Sequence, residues 1–408
     1  MSRSVPQPLA AGTAAFAWPR ARREEFDQLA WRGLVYSCEP GYRPLFLDLH
    51  VPRSTPAPLV VWLHGGGWTQ GSRVRISPNV DRHWLLGRML LAGLAVALVD
   101  YRLASEAPFP AAVDDVRAAV RWLRAHAEDF GLDASRVAVF GQSAGAHLAC
   151  LATSLDDALE VRAIVDWFGP TDLAALGELG EDAIRGSDWD APQASPLAHV
   201  RAGLPPLFVA HGRDDLLVPV AQSRTYVEAL RAAGVEVEYL ETDGDHVFEG
   251  APVLGEVVER TLDFLRRHLD VDAPTAVPPD PGATDAALVL QRAVPRDVAL
   301  ERVEGLAADC ALRCRHPGTA VEVLFLIAPG RSPVQVDGLP AIVGVGALDP
   351  RLDETLSYVY ALREADVPVT LRVFPTLGEG FFGSHGSRAA ERASEQLCRD
   401  LNELIWDA

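Results

Sequence analysis

Ser143 lies within Gly141-Gln142-Ser143-Ala144-Gly145, after the apolar run "RVAVF" and before "AHLACLAT". That order predicts a strand, a tight turn and a helix. The serine hydroxyl is thrust out at the helix N-terminus, where amide dipoles favour developing negative charge. Gly141 and Gly145 are expected because neighbouring backbone crowds such a turn. A serine hydroxyl is a weak nucleophile until a base takes its proton. Of the 11 histidines, His246 has the right position. It sits in the polar loop "TDGDHVFEG", after a strand-like run and before the last helix of its unit, where the base falls in the order nucleophile, acid, base. His147 is expected to point away from the turn, His64 to shape a loop, and His211 merely to precede the acid. "PLFVAHGRDDLLVP" offers Asp214 and Asp215 as that acid, a buried carboxylate that would hold the imidazole tautomer. His64-Gly65-Gly66-Gly67-Trp68 follows another apolar strand. Its successive glycines can turn backbone N–H groups toward one point and, with the N–H of Ala144, form an oxyanion hole for acyl transfer.

These residues need a scaffold that brings distant segments to one edge. "LVYSCE" and "LFLDLHVP" read as strands joined by a turn at Gly41. "PLVVWLHGGGW", "GLAVALVDYRL", "RVAVF", "AIVDWFGP", "PLFVAHG" and "EVEYLET" are short strands, most of them wholly apolar. "AAVDDVRAAVRWLRAHAEDF" and "VLGEVVERTLDFLRRHL" have helical spacing. Strands of this kind alternating with helices predict an α/β fold, a mainly parallel sheet with helices on both faces. The division expected is an N-terminal arm or cap over 1–32, a catalytic domain over 33–270, a Pro-rich linker over 271–283 and a smaller C-terminal α/β unit over 284–408.

Composition removes other classes. The chain has 408 residues, 49% of them hydrophobic, and a formal charge of −19, so it can bury sizeable cores. The negative balance argues against nucleic acid and anionic membrane as partners. All 37 basic residues are Arg; the lack of Lys excludes Schiff-base chemistry and a Lys-containing phosphate loop. Five scattered cysteines fit a reducing, cytoplasmic setting. Cys310, Cys314 and His316 lack the short-spaced pair of a zinc site. No apolar run is long enough to span a membrane, and the Ala-rich start is read as a mature N-terminus rather than a signal peptide.

Taken together, "HGGGW", "VDYRLASEAPFPAAVDDVRAAVRWL", "FGQSAGAHLA", "GPTDL", "ASPL" and "HGRDDLLVPVAQS" resemble the α/β-hydrolase esterases. The hormone-sensitive-lipase-like and feruloyl/acetyl-esterase-like branches are the nearest in pattern. The resemblance covers about residues 33–270. It implies Ser143 as nucleophile, Asp215 as acid, His246 as base, and an oxyanion hole at Gly66, Gly67 and Ala144. It implies hydrolysis of a small-molecule ester through an acyl-enzyme, with no metal or organic cofactor. Activity is expected to fall below about pH 6.5, the reference value for imidazole. Trp68, Gln142, Trp167 and Phe168 are expected to line the substrate pocket. The short segment 174–193 favours small or medium esters. "GQSAGAHLA" also resembles arylformamidases, so N-formyl amide cleavage stays an alternative. So does a biosynthetic acyltransferase or thioesterase, with a non-catalytic receptor behind them.

Residues 339–383 echo this chain's own 204–250, with "YVYALREADVPVTLR" against "YVEALRAAGVEVEYL". Asp349 stands where the acid would be and Glu379 where the base would be, and no glycine loop or Gly-x-Ser-x-Gly precedes them. The expectation is a degenerate half-hydrolase without a nucleophile. It would either stabilise the first unit or supply a lid or subunit contact, which leaves a homo-oligomer open.

Overall fold

The computed structural model describes residues 22–23, 29–52, 54–74, 82–248, 254–272, 299–302, 310–315, 322–327, 339–346, 349, 352–365, 367–374, 377 and 388–406. Most of the expected arm, nearly all of the Pro-rich linker, His316 and Glu379 lie outside these residues. The chain divides into two compact units, which part at Asp272 and Ala273.

The first unit is built on a nine-stranded sheet in the order β1-β2-β3-β5-β4-β6-β7-β8-β9. Its strands are β1 (Arg22–Arg23), β2 (Leu29–Ser37), β3 (Leu45–Val51), β4 (Ala57–Leu63), β5 (Ala95–Val99), β6 (Leu132–Gln142), β7 (Ala163–Trp167), β8 (Leu207–Gly212) and β9 (Val237–Thr242). β2, β3 and β5 pair antiparallel; from β5 through β4 to β9 every pairing is parallel. Every residue of β4, β5, β7 and β8 is buried. This is why those strands read as continuous apolar runs: helices cover both faces. β2 begins at Leu29, earlier than residue 33. Trp31 packs edge-on against Phe130 at 5.1 Å, which extends the strand upstream of a break in register between Trp31 and Leu34.

The helices are α1 (Arg82–Leu91), α2 (Ala111–Ala125), α3 (Ala127–Phe130), α4 (Ala144–Ser154), α5 (Glu178–Ala183), α6 (Ala221–Ala232) and α7 (Leu254–His268). The single helix read over "AAVDDVRAAVRWLRAHAEDF" is two, broken at His126. All eleven residues of α4 are buried, which explains its run of Ala, Leu and Cys. α4 packs on β6, β7 and α2, while α7 packs on β7, β8 and α1.

The second unit carries a five-stranded sheet in sequence order: β10 (Ala299–Arg302), β11 (Cys310–Arg315), β12 (Glu322–Ile327), β13 (Ala341–Gly346) and β14 (Val369–Phe374). The first two pairings are antiparallel and the last two parallel. α8 (Leu352–Glu364) joins β13 to β14, and α9 (Arg388–Trp406) follows. Arg372 of β14 makes a two-pronged ion pair with Asp400 of α9, at 2.8 and 3.1 Å.

Candidate active site

β6 delivers Ser143 at its C-terminal end, and α4 starts at the next residue. Ser143 has φ 52° and ψ −123°, a left-handed backbone that costs a non-glycine residue energy and is tolerated because its surroundings fix it. The Ser143 N–H donates to the carbonyl of Trp167 (2.9 Å), and its carbonyl accepts from Ala146 and His147 (2.9 and 3.1 Å). Gly141 and Gly145 are there for space. A Cβ on Gly141 would lie 2.3 Å from the backbone of Gly145 and Ala146, and one on Gly145 would lie 2.3 Å from the Leu63 carbonyl.

The side chains predicted to converge do so. Ser143 Oγ is 2.9 Å from His246 Nε2, and His246 Nδ1 is 2.6 Å from Asp215 Oδ2. Asp215 reaches the imidazole, which decides between the two carboxylates of "RDD". Its side chain has no exposed surface. Burial alone would raise the pKa of this carboxyl. Hydrogen bonds from His211 and His246, the charge of His246 and the Val218 amide outweigh it and hold the group well below the usual carboxylate range. Asp215 is therefore an anion able to accept from an imidazole N–H. Phe168, at φ 46°, stands edge-on to the His246 ring at 5.0 Å and to Phe248 at 4.9 Å.

The glycine loop leaves β4 at His64. Tyr101 stacks on the His64 ring at 4.2 Å and donates its hydroxyl to the His64 carbonyl at 2.8 Å. Gly66 has φ 126°, and a Cβ there would lie 2.1 Å from the Gln70 carbonyl. Thr69 and Gln70 donate to the Gly66 carbonyl, which turns the loop back on itself. A Cβ on Gly65 would lie 3.1 Å from the Gln142 carbonyl, so the loop rests on the nucleophile turn. Among the described residues, no hydrogen bond engages the N–H of Gly66, Gly67 or Ala144.

Trp68 donates its indole N–H to His147 Nδ1 (3.1 Å), and His147 Nε2 meets the Ala194 carbonyl at 2.7 Å. A donor at Nδ1 and an acceptor at Nε2 require a neutral ring protonated at Nε2. Complete burial holds the pKa of His147 down to about 4, in keeping with that form. His147 does point away from Ser143; its part in clamping the glycine loop was not expected.

Trp68, Gln142, Trp167 and Phe168, expected to line the substrate pocket, are all buried. The reason for Trp167 is strand alternation. Its ring lies in a cluster with Trp62, Phe140 and Phe248, and its N–H donates to Thr261 of α7. Trp68 and Phe168 brace the loop and the imidazole. Sequence reasoning passed over Ser223 and saw His211 only as the acid's neighbour; the spacing His211 to Asp215 was the available signal.

Among the described residues, one group has metal-ligand spacing: Glu236, Glu238 and His268. It lies at the far end of β9 from the His246 loop, and Glu238 also pairs with Arg267. It has no part in the arrangement around Ser143.

A parallel sheet, a serine on a strained strand-to-helix turn and a following His–Asp pair define an α/β hydrolase fold. Residues 47–230 match the BD-FAE family model. The curated relatives include esterase LipQ of Mycobacterium tuberculosis, 33% identical over 55% of this chain and 60% of the relative. Carboxylesterase NlhH of the same organism is 33% identical over 44% of this chain and 63% of the relative. The chain thus spans about three-fifths of the length of these two relatives. Among solved structures, the esterase Est2 of Thermogutta terrifontis superposes with a TM-score of 0.51 at 26% identity, over 58% of this chain and 91% of the other. That esterase has also been solved with propionate bound. A carbohydrate esterase from gut microbiota gives a TM-score of 0.53 at 22% identity, over 62% of this chain and 99% of the other.

Proposed function

We propose that the protein is a serine carboxylic-ester hydrolase acting on small or medium esters. The observation that carries this reading is the continuous hydrogen-bonded series Ser143–His246–Asp215 on a strained turn at the end of β6. His246 Nε2 takes the Ser143 proton as Oγ adds to the ester carbonyl. The oxyanion rests on the N–H groups of Gly66, Gly67 and Ala144. His246 returns the proton to the departing alcohol, and water then attacks the acyl-serine by the same route. Asp215 holds the Nδ1–H tautomer and balances the imidazolium charge.

A short acyl chain is favoured by the short segment 174–193 and by the propionate bound to the Thermogutta esterase. The test is a series of p-nitrophenyl esters from acetate to palmitate, with N-formylkynurenine included. The expected result is kcat/KM highest among the short acyl chains. A protein that cleaves only the N-formyl amide overturns the ester assignment.

The second unit is read as a catalytically empty copy of the back half of the first. β8–α6–β9–α7 and β13–α8–β14–α9 share one connectivity, and each strand pair is a parallel ladder of six residues. Asp215 and Asp349 each lie three residues past the end of their strand, and both are buried. Among the described residues, Cys38, Cys150, Cys314 and Cys398 are thiols rather than disulfides, in keeping with the proposed reducing, cytoplasmic location. Among the described residues, no helix is long and apolar enough to cross a membrane.

A further inference from the structure

Asp215 is served by two histidines. His246 Nδ1 approaches Oδ2 at 2.6 Å, and His211 Nε2 approaches the same oxygen at 3.0 Å. Oδ1 accepts the backbone N–H groups of Leu217 (2.9 Å) and Val218 (2.8 Å). His211 lies on β8, is fully buried, and also meets the Val218 carbonyl through Nε2 at 2.8 Å. Its Nδ1 is 2.7 Å from the hydroxyl of Ser223 on α6.

These partners fix the hydrogen at Nε2, and the neutral form of the ring completes the pattern. The Asp215 carboxylate and the Val218 carbonyl only accept, so Nε2 carries a hydrogen shared between them. A neutral ring then accepts at Nδ1, and Ser223 is the donor. The result is a second Ser–His arm behind the carboxylate, mirroring Ser143–His246 in front of it. Ser223 is sealed from solvent and has no access to substrate, so this arm has no nucleophilic use.

We infer that His211, held by Ser223, is a positioning residue that orients Asp215 and takes up part of the charge on Oδ2 that would otherwise act on His246. This inference rests on the serine-esterase reading of the site. A carboxylate oxygen shared by two N–H donors pulls less strongly on each. Removing the rear donor frees one side of the carboxylate and leaves more negative charge facing His246. The imidazolium is then favoured and the base holds its proton to higher pH. The groups facing His211 are Asp215 and the Val218 carbonyl on the acid loop and Ser223 on α6. Asp166 on β7 is within electrostatic reach.

The test compares His211→Leu, His211→Gln and Ser223→Ala in the full chain. Glutamine keeps one donor and one acceptor; leucine keeps neither. For His211→Leu, kcat falls at least about tenfold with KM nearly unchanged, and the acid limb of kcat/KM moves to higher pH. His211→Gln recovers most of the loss, and Ser223→Ala shifts the limb the same way by less. 15N-histidine spectra of the full chain, read without turnover, show wild-type His211 neutral and protonated at Nε2. They also show the His246 titration displaced upward in Ser223→Ala, which keeps the ring and the fold. Equal losses in the leucine and glutamine variants with an unmoved pH profile overturn the inference. So does a His211 ring protonated at Nδ1 alone. A wild-type chain that hydrolyses no ester, with His246 still moved by Ser223→Ala, refutes the esterase reading and leaves the positioning role standing.

Discussion

Ser143 occupies a conformation that most residues avoid, and three separate contacts keep it there. The carbonyl of Trp167 takes its N–H, α4 starts on its own carbonyl, and the glycines on either side let Leu63 and Ala146 approach. Trp68 is the corresponding device for the glycine loop, itself at φ 59° and secured by its bond to His147. Trp68→Phe removes the only N–H on that ring and leaves His147 Nδ1 buried without its donor. The expected result is a fall in kcat of about tenfold with KM little changed, because the N–H groups of Gly66 and Gly67 lose alignment with the oxyanion. Steady-state kinetics on a short ester checks this. The convergence of Ser143 and His246 was legible in "FGQSAGAHLA" and in the loop around His246, since those residue types have few other reasons to fall in that order. The role of Trp68 was not. A tryptophan beside a glycine loop can face substrate or core, and only packing against α4 decides it.

α4 and β7 carry two buried ionisable groups whose effects on stability oppose each other. Burial raises the Asp166 carboxyl from 3.8 to about 6, against the hydrogen bonds of the Gly169 N–H and the Cys150 thiol. A raised folded-state pKa means that its contribution is present below pH 3.8 and lost as pH rises through 6. His147 is depressed from 6.5 to about 4, so its contribution is present above pH 6.5 and lost as pH falls through 4. Each is worth about 3 kcal/mol across its full range. Asp166→Asn keeps the acceptor for the Gly169 N–H but removes the proton uptake. Relative to wild type, this variant loses about 2 kcal/mol more between pH 6.5 and 4. Urea unfolding at the two pH values measures it, and equal losses in both proteins contradict the assignment. These elements were clear in outline from short apolar runs and the strand–turn–helix order around Ser143. Their ends were less so: β2 starts early because of Trp31, and the helix through His126 is two.

At the scale of the molecule, every residue assigned to the chemistry lies between Gly66 and His246, inside the first unit. The second unit repeats the strand–helix order of the first unit's back half, and "YVEALRAAGVEVEYL" and "YVYALREADVPVTLR" carry that repeat in the sequence. What the sequence left unread was which helix each face of a repeated strand meets, since near-continuous apolar runs carry no alternation. A chain ending at Asp272 is expected to fold and to keep kcat/KM on a short ester within about threefold of the full chain, as an independent domain should. A folded fragment without activity would assign part of the site to the second unit.

The central claim is that Ser143 is a nucleophile activated by His246. A fluorophosphonate probe followed by peptide mass spectrometry tests it most directly. The account predicts one adduct per chain, on the peptide containing Ser143, abolished in Ser143→Ala and strongly slowed in His246→Ala. Stoichiometric labelling at any other residue, or a folded wild-type chain that takes up no probe, would contradict it.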